Sequence, residues 1–544
     1  LLWSSALTLA LLVVAAAQEN VFKDWRQLQQ RTSSPDGPIE VRLRQVVVPP
    51  LRVIDRCVTC HVGMASGETS VPNDRVLGPH PPVPHDPAEF GCTTCHGGQG
   101  RATEMADAHG DVPFWPEPML RGAQAYAGCG SCHTHIAVPD VSHLRAGLAT
   151  FERADCLACH RLDGRGGTLR PDGGGMEGPD LSFVGAAGFR ADWYADHQNR
   201  RAAAPSGPWR TSFRDVTSGD RDVLDSLLRS RVGAPRLVES KALFQSLGCR
   251  GCHTVNGVGG DDGPDLSLEG LKDPGRLDYT HVPGPRTLPS WLREHFREPG
   301  RVVPGSLMPV LGLDESQIEL LTFYMLSLRP GDVPEAFWPT DRIRALRFDA
   351  REFRTDGESL YGSFCAACHG TSGQGMRYAG MPAFPAIGHK DFLSLATDDF
   401  IRETVRQGRP GRRMPAWGSA ASGLRPEEID AVVGYVRTLG GVAAAPDLRP
   451  PRWAAGDADA GEQLFARACA SCHGPEGGGG EGPMLANPVL LGTATDTYLV
   501  ETIRRGRPGT AMEGFASPSP TRPALSDSEI EAIVTYLRAK QGES

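Results

Sequence analysis

Seven copies of Cys-x-x-Cys-His run through this 544-residue chain and use every one of its 14 cysteines. The motifs are Cys57, Cys60 and His61; Cys92, Cys95 and His96; Cys129, Cys132 and His133; Cys156, Cys159 and His160; Cys249, Cys252 and His253; Cys365, Cys368 and His369; and Cys469, Cys472 and His473. This spacing is the attachment signature for c-type haem. The two thiols add across the porphyrin vinyl groups and the adjacent imidazole coordinates the iron, so all three side chains must share about one helical turn. Zinc sites instead pair two Cys-x-x-Cys units and need no histidine directly after each. With every thiol accounted for, no disulfide is available, and seven covalently attached haems c are expected.

A chain of this length exceeds what one hydrophobic core organises, so several domains are expected. Only 40% of its residues are apolar, and it carries 65 glycines and 45 prolines. A porphyrin replaces a cluster of large side chains, and glycine lets backbone approach it. The formal net charge is −9 with no basic stripe, so no nucleic-acid partner is expected. Residues 1–17 are apolar and uncharged. They read either as a signal peptide ending near Ala15 and Ala17 or as an uncleaved transmembrane anchor. Seventeen residues give about 25 Å of helix against a bilayer core of about 30 Å, which a few upstream residues would complete. We expect the anchor, then a juxtamembrane segment over 18–48. The haem-bearing part then lies in the periplasm, at the bacterial inner membrane.

Four motifs share a helical run-up, beginning at Gly147, Lys241, Gly357 and Gly461. The last three are followed by amphipathic stretches, Glu315–Leu328, Glu427–Leu439 and Asp527–Lys540, carrying Tyr324, Tyr435 and Tyr536. This pattern resembles class I cytochrome c over roughly residues 146–541, about 70% of the chain. The resemblance implies two terminal helices crossing closely at the glycine, with the haem behind them. Four such domains are expected, at 146–235, 236–331, 355–441 and 459–541. Proline-rich linkers join the later ones at 332–354 and 442–458, and the second suggests a mobile last domain. In 49–145 the first three motifs follow at intervals of 35 and 37 residues, too short for a class I domain each. That region resembles compact multihaem cytochromes with little regular structure. The expected fold is therefore mainly α: an anchor, a trihaem region, then four tandem cytochrome c-like domains.

Electron-transferring haems usually carry a second axial ligand, and methionine in that place raises the potential relative to histidine. The resemblance implies a distal methionine on a loop before the last helix. Met308 in PGSLMP, Met414 in GRPGRRMPAW and Met512 in GRPGTAMEGF stand 55, 45 and 39 residues after their motif histidines. Met376, Met381 and Met484 come earlier and read as packing or haem-edge residues. The fourth unit has no methionine in the matching segment APSGPWRTSF. Its iron takes an imported histidine such as His143 or His135, or His197, or keeps an open position. Among the spare histidines near the first three motifs, His85 and His109 are the first choices as distal ligands. His135 and His143 follow, and His80 comes last.

Lower-potential haems beside the membrane and higher-potential ones at the far end would drive electrons toward the C-terminus. No quinone, flavin or nucleophile motif stands out. The N-terminal portion, with DRCVTCH and FGCTTCHGG, loosely resembles cytochrome subunits of bc-type or alternative quinol-oxidising complexes. The expected role is electron conduction from such a membrane redox complex to a soluble periplasmic carrier or terminal acceptor. Two rivals remain: a multihaem oxidoreductase with an open fourth haem, and a donor to a photosynthetic reaction centre.

Overall fold

Short polar side chains start the helices that flank the motifs. Asp356 caps Gly357–Phe364 by accepting from the Ser359 amide at 3.0 Å, and Asp457 caps Ala458–Ala468. Ser526 and Glu529 form a capping box on Asp527–Ala539. Helical spacing then buries one face, which in Asp527–Ala539 carries Ile530, Ile533, Val534 and Leu537. The computed structural model describes residues 2–34, 37–64, 74, 76–81, 83–113, 115–167, 178–187, 196, 197, 199, 215–443, 448–520 and 522–542. The fold is mainly helical. Among the described residues four short two-stranded antiparallel ribbons occur, and two of them, at residues 161–166 and 254–259, directly follow a motif histidine.

Three helix pairs cross at a glycine, as the repeat pattern implies. A Cβ on Gly357 would lie 2.1 Å from the Ala431 carbonyl oxygen, bringing Gly357–Phe364 against Pro426–Gly440. One on Gly461 would lie 2.1 Å from the Ala532 oxygen, bringing Ala458–Ala468 against Asp527–Ala539. A Cβ on Gly147 would lie 2.6 Å from the Val223 oxygen in the crossing of Val141–Arg153 with Ser218–Arg229. Aromatic pairs sit beside two of the crossings, Tyr361 on Tyr435 at 5.3 Å and Phe465 on Tyr536 at 5.5 Å. The fifth unit lacks this glycine. Lys241 occupies the matching position, buried, with its ammonium donating to Glu352 and to the Ile136 carbonyl at 2.8 Å.

The chain divides into two compact units. The first comprises 1–241, 268–304 and 312–352, and the second 242–267, 305–311 and 353–544. The stretch 236–331 is thus shared between them. In the first unit, Glu315–Ser327 packs on the short helical run Gly122–Ser131, where a Cβ on Gly130 would meet the Ser327 oxygen. The segment 332–354 is more than a linker, since it contains the helix Thr340–Phe348. In the second unit one hydrophobic cluster runs from Phe353 through Leu537. The last two cytochrome-like segments are continuous within it, with Phe400 and Tyr498 4.8 Å apart, so the final segment is packed rather than tethered.

The helix Leu2–Asn20 carries exposed Leu7, Leu9, Leu11, Leu12, Val13 and Val14. Among the described residues no helix is long and apolar enough to cross a membrane.

Replacing Gly461 with Val is expected to force the Ala458–Ala468 and Asp527–Ala539 helices apart and destabilise the second unit by about 1–3 kcal/mol. Gly434→Ala provides the control. It lies inside Pro426–Gly440 with nothing within 4 Å of an added Cβ, and should stabilise by about 0.5–1 kcal/mol. Thermal unfolding of the two variants checks both signs.

Candidate haem-binding sites

All seven motifs close the same turn. The amide of the motif histidine donates to the carbonyl of the first cysteine at 2.8 Å for His61, 2.9 Å for His96, His133, His160 and His369, and 3.0 Å for His253 and His473. This i to i+4 bond puts two thiols and one imidazole on a single turn. All 14 thiols are outside disulfides. Burial pushes the free Cys249 and Cys365 thiols up to about 12, so neither is a thiolate at neutral pH.

The thiols are not equivalent, although the motif treats them alike. Cys472 is exposed, whereas Cys159 and the other cysteines are half-buried. The Ser471 hydroxyl lies 3.9 Å from the Cys472 sulfur. Backbone holds Cys159 and Cys472 in place. The amides of Cys159 and Cys472 donate to the carbonyls of Cys156 and Cys469 at 3.3 and 3.2 Å. Their own carbonyls accept from the Gly178 and Gly482 amides at 3.0 and 2.8 Å, and Cys252 accepts from Gly263 at 2.8 Å in the same way.

The histidine is then oriented through Nδ1. His160 Nδ1 lies 2.8 Å from the Pro179 carbonyl oxygen, and His253, His369 and His473 lie 2.9 Å from those of Pro264, Pro385 and Pro483. Donation to a carbonyl fixes the Nδ1–H tautomer and leaves Nε2 as the metal-binding nitrogen. Gly178, Gly263 and Gly482 precede three of these prolines, and a Cβ on any of them would fall within 3 Å of the imidazole. These Gly-Pro steps were not singled out from sequence, although the shared GPDL at Gly178 and Gly263 marks two of them. His96 and His133 use other partners, and His61 Nδ1 has none among the described residues. His96 Nδ1 is 3.4 Å from the Leu120 oxygen. His133 Nδ1 is 3.1 Å from Asp341 Oδ1, with both side chains about 10% exposed.

Four histidine pairs stand opposite one another, two tilted and two edge-on. His61 and His109 have ring centroids 6.3 Å apart, His96 and His80 6.2 Å, His133 and His85 6.2 Å, and His160 and His197 6.0 Å. Burial, reinforced by repulsion from His109, holds His61 below the ordinary imidazole range. Burial likewise lowers His85, His96 and His109, which favours the neutral, ligating form. The structure thus brings His85 and His109 to motif histidines, and also His80 and His197, which sequence ranked lower. Among the described residues no ring pair joins His135 or His143 to a motif histidine. His135 Nδ1 is 2.7 Å from Thr134 Oγ1, and His143, on the helix Val141–Arg153, has Nε2 3.9 Å from Asp222. Trp193 and the segment 204–213 lie outside the described residues.

The methionine loops repeat one closure. The Arg409 amide donates to the Met414 oxygen at 2.9 Å, and the Arg507 amide to the Met512 oxygen at 2.7 Å. Gly408 and Gly506 begin these loops at φ of 66° and 71°, where a Cβ would strike the returning strand. Met308 falls in the same unit as His253. Arg413 Nη1 donates to Met381 sulfur at 2.8 Å, consistent with a packing role for that residue. Motifs also meet one another. The Cys57 and Cys92 side chains are within hydrogen-bond reach, as are those of Cys252 and Cys368.

Paired thiols, a tautomer-fixed imidazole and glycine-made space fit a covalently held porphyrin. Residues 237–329 match the family Cytochrome c, and residues 353–436 and 456–537 match Cytochrome C oxidase, cbb3-type, subunit III. The chain is a multihaem c-type cytochrome. It is similar to the Cbb3-type cytochrome c oxidase subunit FixP of Bradyrhizobium sp. (strain ORS 278), 35% identical over 201 residues, covering 35% of this chain and 61% of that one. The CcoP subunit of Rhodobacter capsulatus is 29% identical over 201 residues, with 35% and 63% covered. This cytochrome therefore spans about 60% of the length of the curated relatives it matches. A solved chain of the Kuenenia stuttgartiensis reducing HAO-like protein complex aligns over 34% of this chain and 94% of its own, at 21% identity. Its TM-score of 0.24 supports no argument about fold or function.

Asp341 makes a distinct electrostatic contribution. A carboxylate on Nδ1–H strengthens the imidazole as a donor and favours ferric iron. Asp341→Asn is expected to raise the potential of one haem by tens of millivolts, at about 59 mV per tenfold change in ligand preference. A potentiometric titration with an unchanged set of potentials would refute the assignment.

Proposed function

We propose that this protein is a membrane-anchored, periplasmic heptahaem cytochrome that conducts electrons from a quinol-oxidising, bc-type-like membrane complex to a soluble carrier or terminal acceptor. The observation that carries the reading is the repeated device in the last four motifs, an imidazole whose Nδ1 meets a proline carbonyl. The matched cysteine turn extends the count to seven haem sites, with Cys159 and Cys472 as the second thioether positions of the fourth and seventh. Haem c supplies one-electron chemistry when bound. The chain's part is to attach it, orient the imidazole and set the second ligand.

Met308, Met414 and Met512 are assigned as second ligands of the last three irons. The identical closure of the loops bearing Met414 and Met512 supports this for two of them. Methionine ligation raises the potential. The histidine-rich region therefore supplies the low-potential entry and the C-terminal domains the high-potential exit. The relatives are subunits of a cbb3-type oxidase, which supports a terminal acceptor of oxidase type. The helix Leu2–Asn20, about 28 Å long at 1.5 Å per residue, is our candidate anchor, supported by its exposed leucines and valines.

Two outcomes test this reading. Met414→His and Met512→His should each lower the potential of one haem by a sizeable part of the ~0.8 V range that axial ligands span, with seven haems still attached per chain. Seven unchanged potentials, or fewer than seven haems in the parent protein, would refute it. Removing residues 2–20 behind a supplied cleavable signal should release a soluble protein with all its haems. Continued sedimentation with membranes would count against the anchor.

A further inference from the structure

We propose that His109, His80, His85 and His197 are the second axial ligands of the irons held by His61, His96, His133 and His160. The first four haems are then all bis-histidine, and the fourth has no open position. The inference rests on reading the motifs as haem attachment sites.

The spacing of the rings is the argument. Metal–imidazole nitrogen bonds are ~2.0 Å, and the nitrogen lies roughly 1.1 Å from its ring centre, so two imidazoles on opposite sides of one metal have centroids about 6.2 Å apart. The observed separations, 6.0 to 6.3 Å, bracket that value. Direct stacking brings rings closer, as in Trp291 and His295 at 4.9 Å and His85 and Phe90 at 4.7 Å. The four histidine pairs are therefore beyond stacking distance and correctly spaced for a shared atom. Each pair contains one motif histidine, and each of the first four motifs has one pair.

The opposing histidines are held independently of any metal. His80 Nδ1 lies 2.7 Å from the Pro81 carbonyl oxygen, the same arrangement that orients the later motif histidines, and it leaves Nε2 for a metal. His85 rests on Phe90, which packs edge-on against Phe337 at 5.6 Å. The His109 carbonyl accepts from the Met119 amide at 2.9 Å, pinning that residue at the end of its turn.

The test uses the full-length haem-loaded protein. Low-temperature electron paramagnetic resonance of the ferric parent should show only low-spin iron among these haems, and added cyanide should leave the visible spectrum unchanged. A high-spin, cyanide-binding haem in the parent would overturn the closed fourth site. His197→Gly and His80→Gly should each turn one haem per chain high-spin, and free imidazole should restore the low-spin signal. His135→Gly and His143→Gly should change nothing. Full low-spin content in His197→Gly or His80→Gly, or a high-spin haem in His135→Gly or His143→Gly, would overturn the assignment. Should a glycine variant lose haem, His197→Met and His80→Met keep a ligand in place. Each must raise one potential, and unchanged potentials would overturn the proposal. Failure of electron delivery with these spectra intact would instead count against the conduit reading alone.

Discussion

The protein depends on one turn of helix, closed seven times by a histidine amide on the carbonyl of a cysteine four residues earlier. That bond leaves no freedom in how two sulfurs and an imidazole face a porphyrin. The remaining variable is rotation of the imidazole, and a second hydrogen bond at Nδ1 removes it at His96, His133, His160, His253, His369 and His473. Proline suits the task because its fixed φ presets where its carbonyl points. The preceding glycine at 178, 263 and 482 leaves room for the ring, and its amide ties the step to the carbonyl of Cys159, Cys252 or Cys472. At His369 the step is Phe384-Pro385, so the carbonyl is retained where the glycine is not. At His133 the acceptor is Asp341, a full charge in place of a dipole. A carboxylate at Nδ1 makes the imidazole the stronger donor, so the same position that orients the ring can also set its basicity.

What sequence could reveal follows from which interactions are local. The closing helices expected at Glu315–Leu328, Glu427–Leu439 and Asp527–Lys540 appear at Glu315–Ser327, Pro426–Gly440 and Asp527–Ala539. Their apolar spacing and capping residues act within a few turns. The fourth unit's closing helix, Ser218–Arg229, was overlooked because it lacks the tyrosine of the others. Its capping box at Thr217 and Asp220 and its buried Leu224, Leu227 and Leu228 are present in the sequence. The partners of the first four motif histidines were beyond reach for a different reason. Where porphyrins replace the protein core, which loop crosses which face is decided by haem packing. No residue spacing records that His61 faces His109 while His96 faces His80. Asp341 lies 208 residues from His133 and carries no local signal at all.

The division of the chain into units follows the motifs more closely than the helix pairs. A repeat-based reading assigns one domain to one motif, its run-up helix and its closing helix. The structure instead groups residues 242–267, which carry the fifth motif, with 353–544, and groups the closing helix Glu315–Ser327 with the first unit. The reason lies in how the fifth and sixth motifs meet. A Cβ on Gly248 would crowd Ala367 at 3.0 Å, and one on Gly251 would touch the Phe364 oxygen at 3.0 Å. Asp262 pairs with Arg413, the neighbour of Met414, at 2.8 Å. The Cys252 and Cys368 side chains are within hydrogen-bond reach of each other. The sixth and seventh segments are joined as firmly, through Phe400 and Tyr498 and through the Asn487 amide on the Pro410 oxygen at 3.0 Å. The fifth, sixth and seventh motifs are thus joined through the second unit by packed side chains. Cys472, in the seventh motif, is the cysteine that this packed frame leaves exposed.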